Sequence, residues 1–302
     1  MGTALAASNT WTFKWTAPNT CSGRITFYAA GNAANNDRND TGDFIYTSAT
    51  SIDPMVTTVS GATFNNTAPI TLTAGGIGSG FGCNMATATA SASDADPNTP
   101  GFQLPTTLGG TTVAVKDSTG TTRNAGLFYV SPAQVNYLIP AGTANGAATI
   151  TITAGNGAIS SGSYIIASVQ PGIFSTNQVG TGYAAAQIQR VRNGTTIAYE
   201  DVSTGTVANP VAVPIEWKDA NDQLYLVLYA TGIRNVSALS NVTATIGGAA
   251  QSVNYAGVQP DFAGLDQVNI LLNRNLVPPS GDKDVVLTVD GKAANTVRIN
   301  FK

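Results

Sequence analysis

Gln134-Val135-Asn136-Tyr137-Leu138 returns 133 residues later as Gln267-Val268-Asn269-Ile270-Leu271. Each run opens on a polar residue and then alternates, as a strand with one buried face does. Two further pairs follow the same order along the chain. Leu72-Thr73-Ala74-Gly75-Gly76-Ile77 is similar to Leu228-Tyr229-Ala230-Thr231-Gly232-Ile233, at an offset of 156. Leu108-Gly109-Gly110 is similar to Ile246-Gly247-Gly248, at an offset of 138. Conserved order with a shrinking offset reads as an internal duplication whose first copy has longer loops. The largest change falls at 86–105, a small, polar, Pro-rich stretch read as a long surface loop. The paired glycines suit a tight turn of positive φ before a strand.

Outward from these landmarks, short apolar runs at 70–74, 111–115, 127–130, 148–153 and 163–167 are separated by Gly, Pro and Asn. That spacing predicts sandwiches or barrels. A chain of 302 residues has room for two such units. The expected fold is all-β, with two tandem immunoglobulin-like β-sandwiches at 53–168 and 169–302, preceded by a partial β segment at 1–52. The one stretch with a helical reading is 182–191.

In the N-terminal segment, Trp11-Thr12-Phe13-Lys14-Trp15 alternates strictly and places three aromatics on one face. Arg24-Ile25-Thr26-Phe27-Tyr28 alternates again, so the two runs are expected to form a hairpin. Residues 31–43 read as a long turn-rich loop closed by Phe44-Ile45-Tyr46. The face carrying Trp11, Phe13, Trp15, Ile25 and Phe27 is the expected place for packing against another domain or another chain. An isolated hairpin is marginal in water and its open edges accept further strands.

The motifs carry a resemblance. Leu104-Pro105-Thr106-Thr107-Leu108-Gly109-Gly110-Thr111-Thr112-Val113 and Leu127-Phe128-Tyr129-Val130-Ser131-Pro132-Ala133-Gln134-Val135-Asn136-Tyr137 are followed by Pro171-Gly172-Ile173-Phe174-Ser175. Tyr255-Ala256-Gly257 and Ala263-Gly264-Leu265-Asp266-Gln267-Val268-Asn269 come after. Together, over about 53–302, they resemble an uncharacterised bacterial secreted C-terminal domain family, IPT/TIG-like in style. The run from Trp11 to Pro18, with Ile25 to Asn35, resembles the final strands of a Reeler-like, choice-of-anchor surface domain. The resemblance implies surface architecture without chemistry, and earlier strands that would pair with Trp11–Trp15 are missing. Cys21 and Cys83 replace small residues expected in these motifs, which makes their pairing more attractive.

Composition narrows the function. Charged residues are 10% of the chain, against about 25% in an average globular protein, and the net charge is −3 with no basic cluster. No nucleic-acid partner is expected. No run approaches 18 apolar residues, so no membrane span is expected. Ala4-Leu5-Ala6 is similar to a signal-peptidase site but lacks the basic and apolar regions before it; either an export signal has been removed or the start is a truncation. The absence of histidine excludes Ser-His-Asp and Cys-His catalysis and His-based zinc sites. Glutamate occurs only at Glu200 and Glu216, leaving a two-carboxylate glycosidase to rely on aspartates. No enzyme activity and no cofactor are expected.

Asp37, Asn39, Asp40 and Asp43 supply hard oxygen ligands suited to calcium, but their spacing is not that of an EF-hand and Arg38 interrupts them, so a solvated turn is the plainer reading. With two cysteines, an internal disulfide, two free thiols and an intermolecular bridge all stay open; an internal bridge fits an oxidising, extracellular location. Sequons such as Asn193-Gly194-Thr195 arise easily by chance in a Thr/Asn-rich chain. The leading reading is a subunit of an extracellular fibre at the cell surface, self-associating head to tail through strand contacts. A carbohydrate- or surface-binding module of a larger secreted protein is the alternative.

Overall fold

Alternation of apolar residues with Thr, Ser and Asn gives strands, and among the described residues the computed structural model contains one short 3-10 turn besides them, at Leu239–Asn241. The structure describes residues 12–16, 22–34, 37–39, 41–63, 70–93, 103–275 and 280–302. Two separate hydrophobic cores organise the chain, one built from residues between Val56 and Ile166, the other from residues between Val169 and Phe301.

Around the first core, one sheet runs in the order Thr57–Ser60, Ile77–Phe81, Gln134–Leu138, Gly126–Val130, Ala90–Ser91. The facing sheet orders Thr71–Thr73, Ile159–Ala167, Gly146–Thr153, Thr111–Lys116 and Thr107–Leu108, with Thr122–Asn124 on the Thr111–Lys116 edge. Val135, Tyr137 and Leu127 from the first sheet meet Val113, Val115, Ile150 and Ile152 from the second. The Tyr137 hydroxyl needs a partner there and bonds Thr58 Oγ1 at 2.6 Å.

Around the second core, Asp222–Thr231 lies between Ala186–Arg192 and Asp266–Leu271, with Thr195–Asp201 at the edge. The ten-residue strand Ala249–Val258 turns the corner: its start pairs with Val242–Ile246 and the rest with Asp266–Leu271. Gly281–Val289 and Val297–Phe301 complete the opposing layer.

The two units share a central strand arrangement. Gln134–Leu138 and Asp266–Leu271 occupy the same central position, and each is flanked by a strand with a β-bulge at the same register. The skipped residue is Phe128 opposite Asn136 in one and Asn254 opposite Asn269 in the other. Each Gln also donates to its own Asn two residues on, at 2.9 Å (Gln134 to Asn136) and 2.7 Å (Gln267 to Asn269). Pairing corrects the other two sequence correspondences. Gly80 stands opposite Val135, and Leu228 stands opposite Val268, so Phe81 rather than Thr73 is the counterpart of Tyr229. The two Gly-Gly turns also differ in place: Gly109-Gly110 precedes the strand paired with Gly146–Thr153, whereas Gly247-Gly248 follows the strand paired with Gly281–Val289. Local likeness of turn chemistry misaligned them, because Gly-Gly serves any tight hairpin.

Three local expectations change. Residues 186–192 form a strand, with Ala186, Ile188 and Arg190 inward, because two neighbouring strands offer a ladder that outweighs the weak helical reading. The 86–105 loop buries Met85 and Ala86 at its start and contributes the strand Ala90–Ser91; residues 94–102 lie outside the described residues. Finally, residues 12–16 are not a strand; Ile25–Ala33 pairs instead with Phe44–Ile52 over nine register positions. The turn-rich loop is therefore shorter than 31–43, and Phe44-Ile45-Tyr46 opens the partner strand.

Candidate functional site

The ribbon made by Ile25–Ala33 and Phe44–Ile52 projects from the first sandwich. Each strand has a single hydrogen-bonded neighbour among the described residues. Strict alternation puts Ile25, Phe27, Tyr46 and Phe44 on one face and Tyr28 and Ile45 on the other. Phe13 and Trp15 lie against Phe27, with ring centroids at 5.7 and 5.5 Å, so three of the five aromatic and aliphatic positions singled out in the sequence form one cluster. Trp11 and Cys21 lie outside the described residues, and Ile25 is half-buried at the base of the ribbon. The ribbon is otherwise open to solvent: Tyr28 is 82% exposed and Ile45 73%, and Phe13 within the cluster is itself 71% exposed.

At the ribbon's base, Arg24 clamps Asp53 through Nε and Nη2 at 2.6 and 3.1 Å. The chain then enters the sandwich where Val56 N donates to the Ser161 carbonyl and Ser161 N to that of Pro54. Cys83, beside this entry, is disulfide-bonded. In the loop, Asp37 Oδ1 accepts from Asn39 N, a turn-forming bond, and Asp43 Oδ2 accepts from Asn32 Nδ2 across the end of the ladder. Asp40 lies outside the described residues, and no cluster of three or more acidic or cysteine ligands occurs among those described.

A second feature was not singled out in the sequence. The two sandwiches meet where Thr231 Oγ1 accepts from Ile77 N at 2.9 Å and Asn235 Nδ2 donates to the Ala74 carbonyl at 3.0 Å. Gly264, at φ +73°, lets the loop before Asp266 lie directly on Ile77 and Leu138. Buried Asp266 fixes that loop: its carboxylate accepts from Ile233 N at 2.7 Å and Arg234 Nε at 2.8 Å. Burial pushes the Asp266 carboxyl up, with Arg234 opposing. Beside this joint an open cleft of about 550 Å³ is lined by Ile77, Phe128, Phe174, Tyr229, Phe262 and Leu265, with no charged residue. The only sequence signal for it was the phenylalanine in the Leu127–Tyr129 motif and the lone aspartate before Gln267.

The outer face of the second sandwich's larger sheet carries Tyr199, Tyr225, Gln187, Gln189 and Asn269, the residues alternating with core Ile188, Leu226 and Ile270.

The chain is thus an all-β sandwich protein. No helix among the described residues is long and apolar enough to cross a membrane. No family model and no curated protein matches it. Among solved structures it is similar to domains 5–6 of the S-layer protein SbsC, at 14% identity and TM-score 0.23, covering 82% of this chain and 98% of that one. Domains 4–9 of the surface layer protein SbsC match at 14% identity and TM-score 0.20, over 86% and 33%. A beta-glycosidase from Bacteroides vulgatus matches at 10% identity and TM-score 0.20, over 82% and 24%. TM-scores this low carry no argument about role.

Proposed function

We propose that this chain is a non-enzymatic structural subunit of the bacterial cell surface that joins further copies of itself, head to tail, through its N-terminal ribbon. Two tandem immunoglobulin-like units, 53–168 and 169–302, form its body in this reading, and a Cys21–Cys83 bridge ties the ribbon to it. The carrying observation is the ribbon itself, two nine-residue strands with one neighbour each among the described residues and large apolar side chains in solvent. Such an edge accepts further strands, and long exposed apolar edges are otherwise avoided. Burying Tyr28, Phe44, Ile45 and Tyr46 contributes about 1.5–3 kcal/mol each, roughly 6–12 in all. Association costs about 4–15 kcal/mol. Side-chain burial therefore breaks roughly even, and added backbone hydrogen bonds decide for assembly, which makes it concentration-dependent.

Sedimentation of the purified chain from micromolar to millimolar concentration tests this. Growth of linear oligomers is expected, with loss of growth in Tyr28→Ser/Ile45→Ser. A monomer at every concentration overturns it. The Tyr/Gln/Asn face supports a second reading, a carbohydrate-binding surface, since flat aromatic rings and amides match sugar faces and hydroxyls. Glycan binding abolished by Tyr199→Ala would favour that reading.

A further inference from the structure

We infer that the open cleft between the two sandwiches is the acceptor for the N-terminal ribbon of a second copy of this chain. The inference rests on the self-association just proposed and adds its receiving site. Three observations converge on it.

The first is the cleft's composition. Its lining is apolar and uncharged, and Phe262 stands 61% exposed at its rim. Phe128 is the skipped residue of the bulge, and its counterpart in the second sandwich is the exposed Asn254. The bulge itself accommodates a polar residue, so the packing of the first sandwich does not require a phenylalanine there. Its half-buried aromatic side chain forms part of the cleft wall.

The second is complementarity. The strands Ile25–Ala33 and Phe44–Ile52 contain no charged residue. An uncharged aromatic ribbon enters an uncharged aromatic cleft without desolvating any ion, whereas a charged occupant would forfeit its hydration. The cleft lies within the size range of sites that enclose several ring-sized groups, about 300–1,000 Å³.

The third is placement. The strand Ile159–Ala167 spans the first sandwich from end to end, roughly 27 Å at strand rise. Its start adjoins the ribbon's entry, where Ser161 bonds Pro54 and Val56. Its end pairs with Thr71–Thr73, whose following turn touches the second sandwich at Thr231 and Asn235. Strand Ile77–Phe81 repeats this polarity, with Ile77 at the joint and Cys83 just beyond its far end. Donor and acceptor therefore sit at opposite poles of the first sandwich, and the Arg24–Asp53 pair holds the two ribbon strands together where they leave it. The ribbon of one copy meets the cleft of another. A contact between two different surfaces does not close on itself and propagates as an open chain.

Complementation of two defective variants tests the inference. Ile45→Lys/Tyr46→Lys removes the donor while leaving the cleft intact. Phe128→Asn, the residue already tolerated at the equivalent bulge, and Phe262→Lys at the exposed rim each remove the acceptor while leaving the ribbon intact. Sedimentation is expected to give chains for the wild type and at least about tenfold weaker assembly for each variant alone. An equimolar mixture of donor and acceptor variants gives dimers that do not grow. The apolar dye 1-anilinonaphthalene-8-sulfonate binds the donor variant, whose cleft is empty, and is displaced in the mixed dimer. A wild-type monomer would overturn the self-association reading itself. Wild-type chains with undiminished assembly of both acceptor variants would overturn the cleft alone. So would acceptor variants that block assembly but give no dimers on mixing, or dye that stays bound in the dimer.

Discussion

Replacing Arg190 with Met removes a charged side chain that the second sandwich encloses, midway along the strand Ala186–Arg192. Arg190 is 2% exposed, and its partner Asp222 is fully buried. Its guanidinium reaches Glu200 through Nε and Nη2 at 3.0 and 2.9 Å, the Glu216 carbonyl at 2.9 Å and, through Nη1, Asp222. Removing one partner of a buried pair costs about 3–5 kcal/mol, because the other charge stays behind. Asp222 keeps Arg192 at 2.7 Å and the backbone N–H groups of Lys218 and Asp219. The loss should therefore fall at the low end, about 3 kcal/mol. For a unit of about 130 residues this lowers Tm by roughly 10 °C. In a Trp11→Phe/Trp15→Phe background, Trp217, stacked 6.0 Å from Phe301 in the second sandwich, gives a fluorescence reading of that unit. A drop under about 2 °C would refute the reasoning, showing that Arg192 and the backbone suffice for Asp222 and that Arg190 adds nothing net.

Two further outcomes follow from the same structure. Gly264→Ala places a Cβ 2.7 Å from Ile77 Cγ1 at φ +73°, so it should cost about 1–3 kcal/mol and increase proteolysis at the joint; unchanged Tm and cleavage would refute that close packing. In acid, Glu200 contributes stability that is complete above its ordinary value of 4.5 and is lost as pH falls towards about 2, where hydrogen bonds from Arg190, then Lys218, hold its carboxyl. Asp222 is also held low by Arg192 and Arg190 against the opposing effect of its burial. Asp266 acts with opposite sign: burial raises it, so its ionisation costs stability and protonation relieves that cost. Asp117, Glu216 and Asp290 are held low as well, by hydrogen bonds from Thr119, Lys302 and Ser237, and together these groups outweigh Asp266. The urea midpoint should therefore fall between pH 4.5 and 2, and Glu200→Gln should flatten the slope; a flat wild-type profile would refute the assignment.

Much of the architecture was legible in the residues. Alternation in Gln134–Leu138 and its repeat at 267–271 named a strand with one buried face, and the period of two allows no other reading of which side chains go in. The lack of histidine by itself rules out Ser-His-Asp and Cys-His catalysis. Of the three repeated landmarks, only Gln134–Leu138 and its repeat at 267–271 occupy the same place in their sheets. What the sequence could not settle was which strand lies beside which. Trp11 to Trp15 alternates as well as any strand, yet the ladder forms between Ile25–Ala33 and Phe44–Ile52, because alternation assigns faces and not partners. Gly-Gly turns marked hairpins correctly and aligned them wrongly, since the same turn serves different strand pairs. The cleft was least legible of all. Ile77, Phe128, Phe174, Tyr229 and Phe262 are up to 185 positions apart, and only the docking of one sandwich on the other at Gly264 and Thr231 brings them to a common wall. Local periodicity is written in neighbouring residues, whereas surfaces such as this one are set by long-range packing that no short stretch encodes.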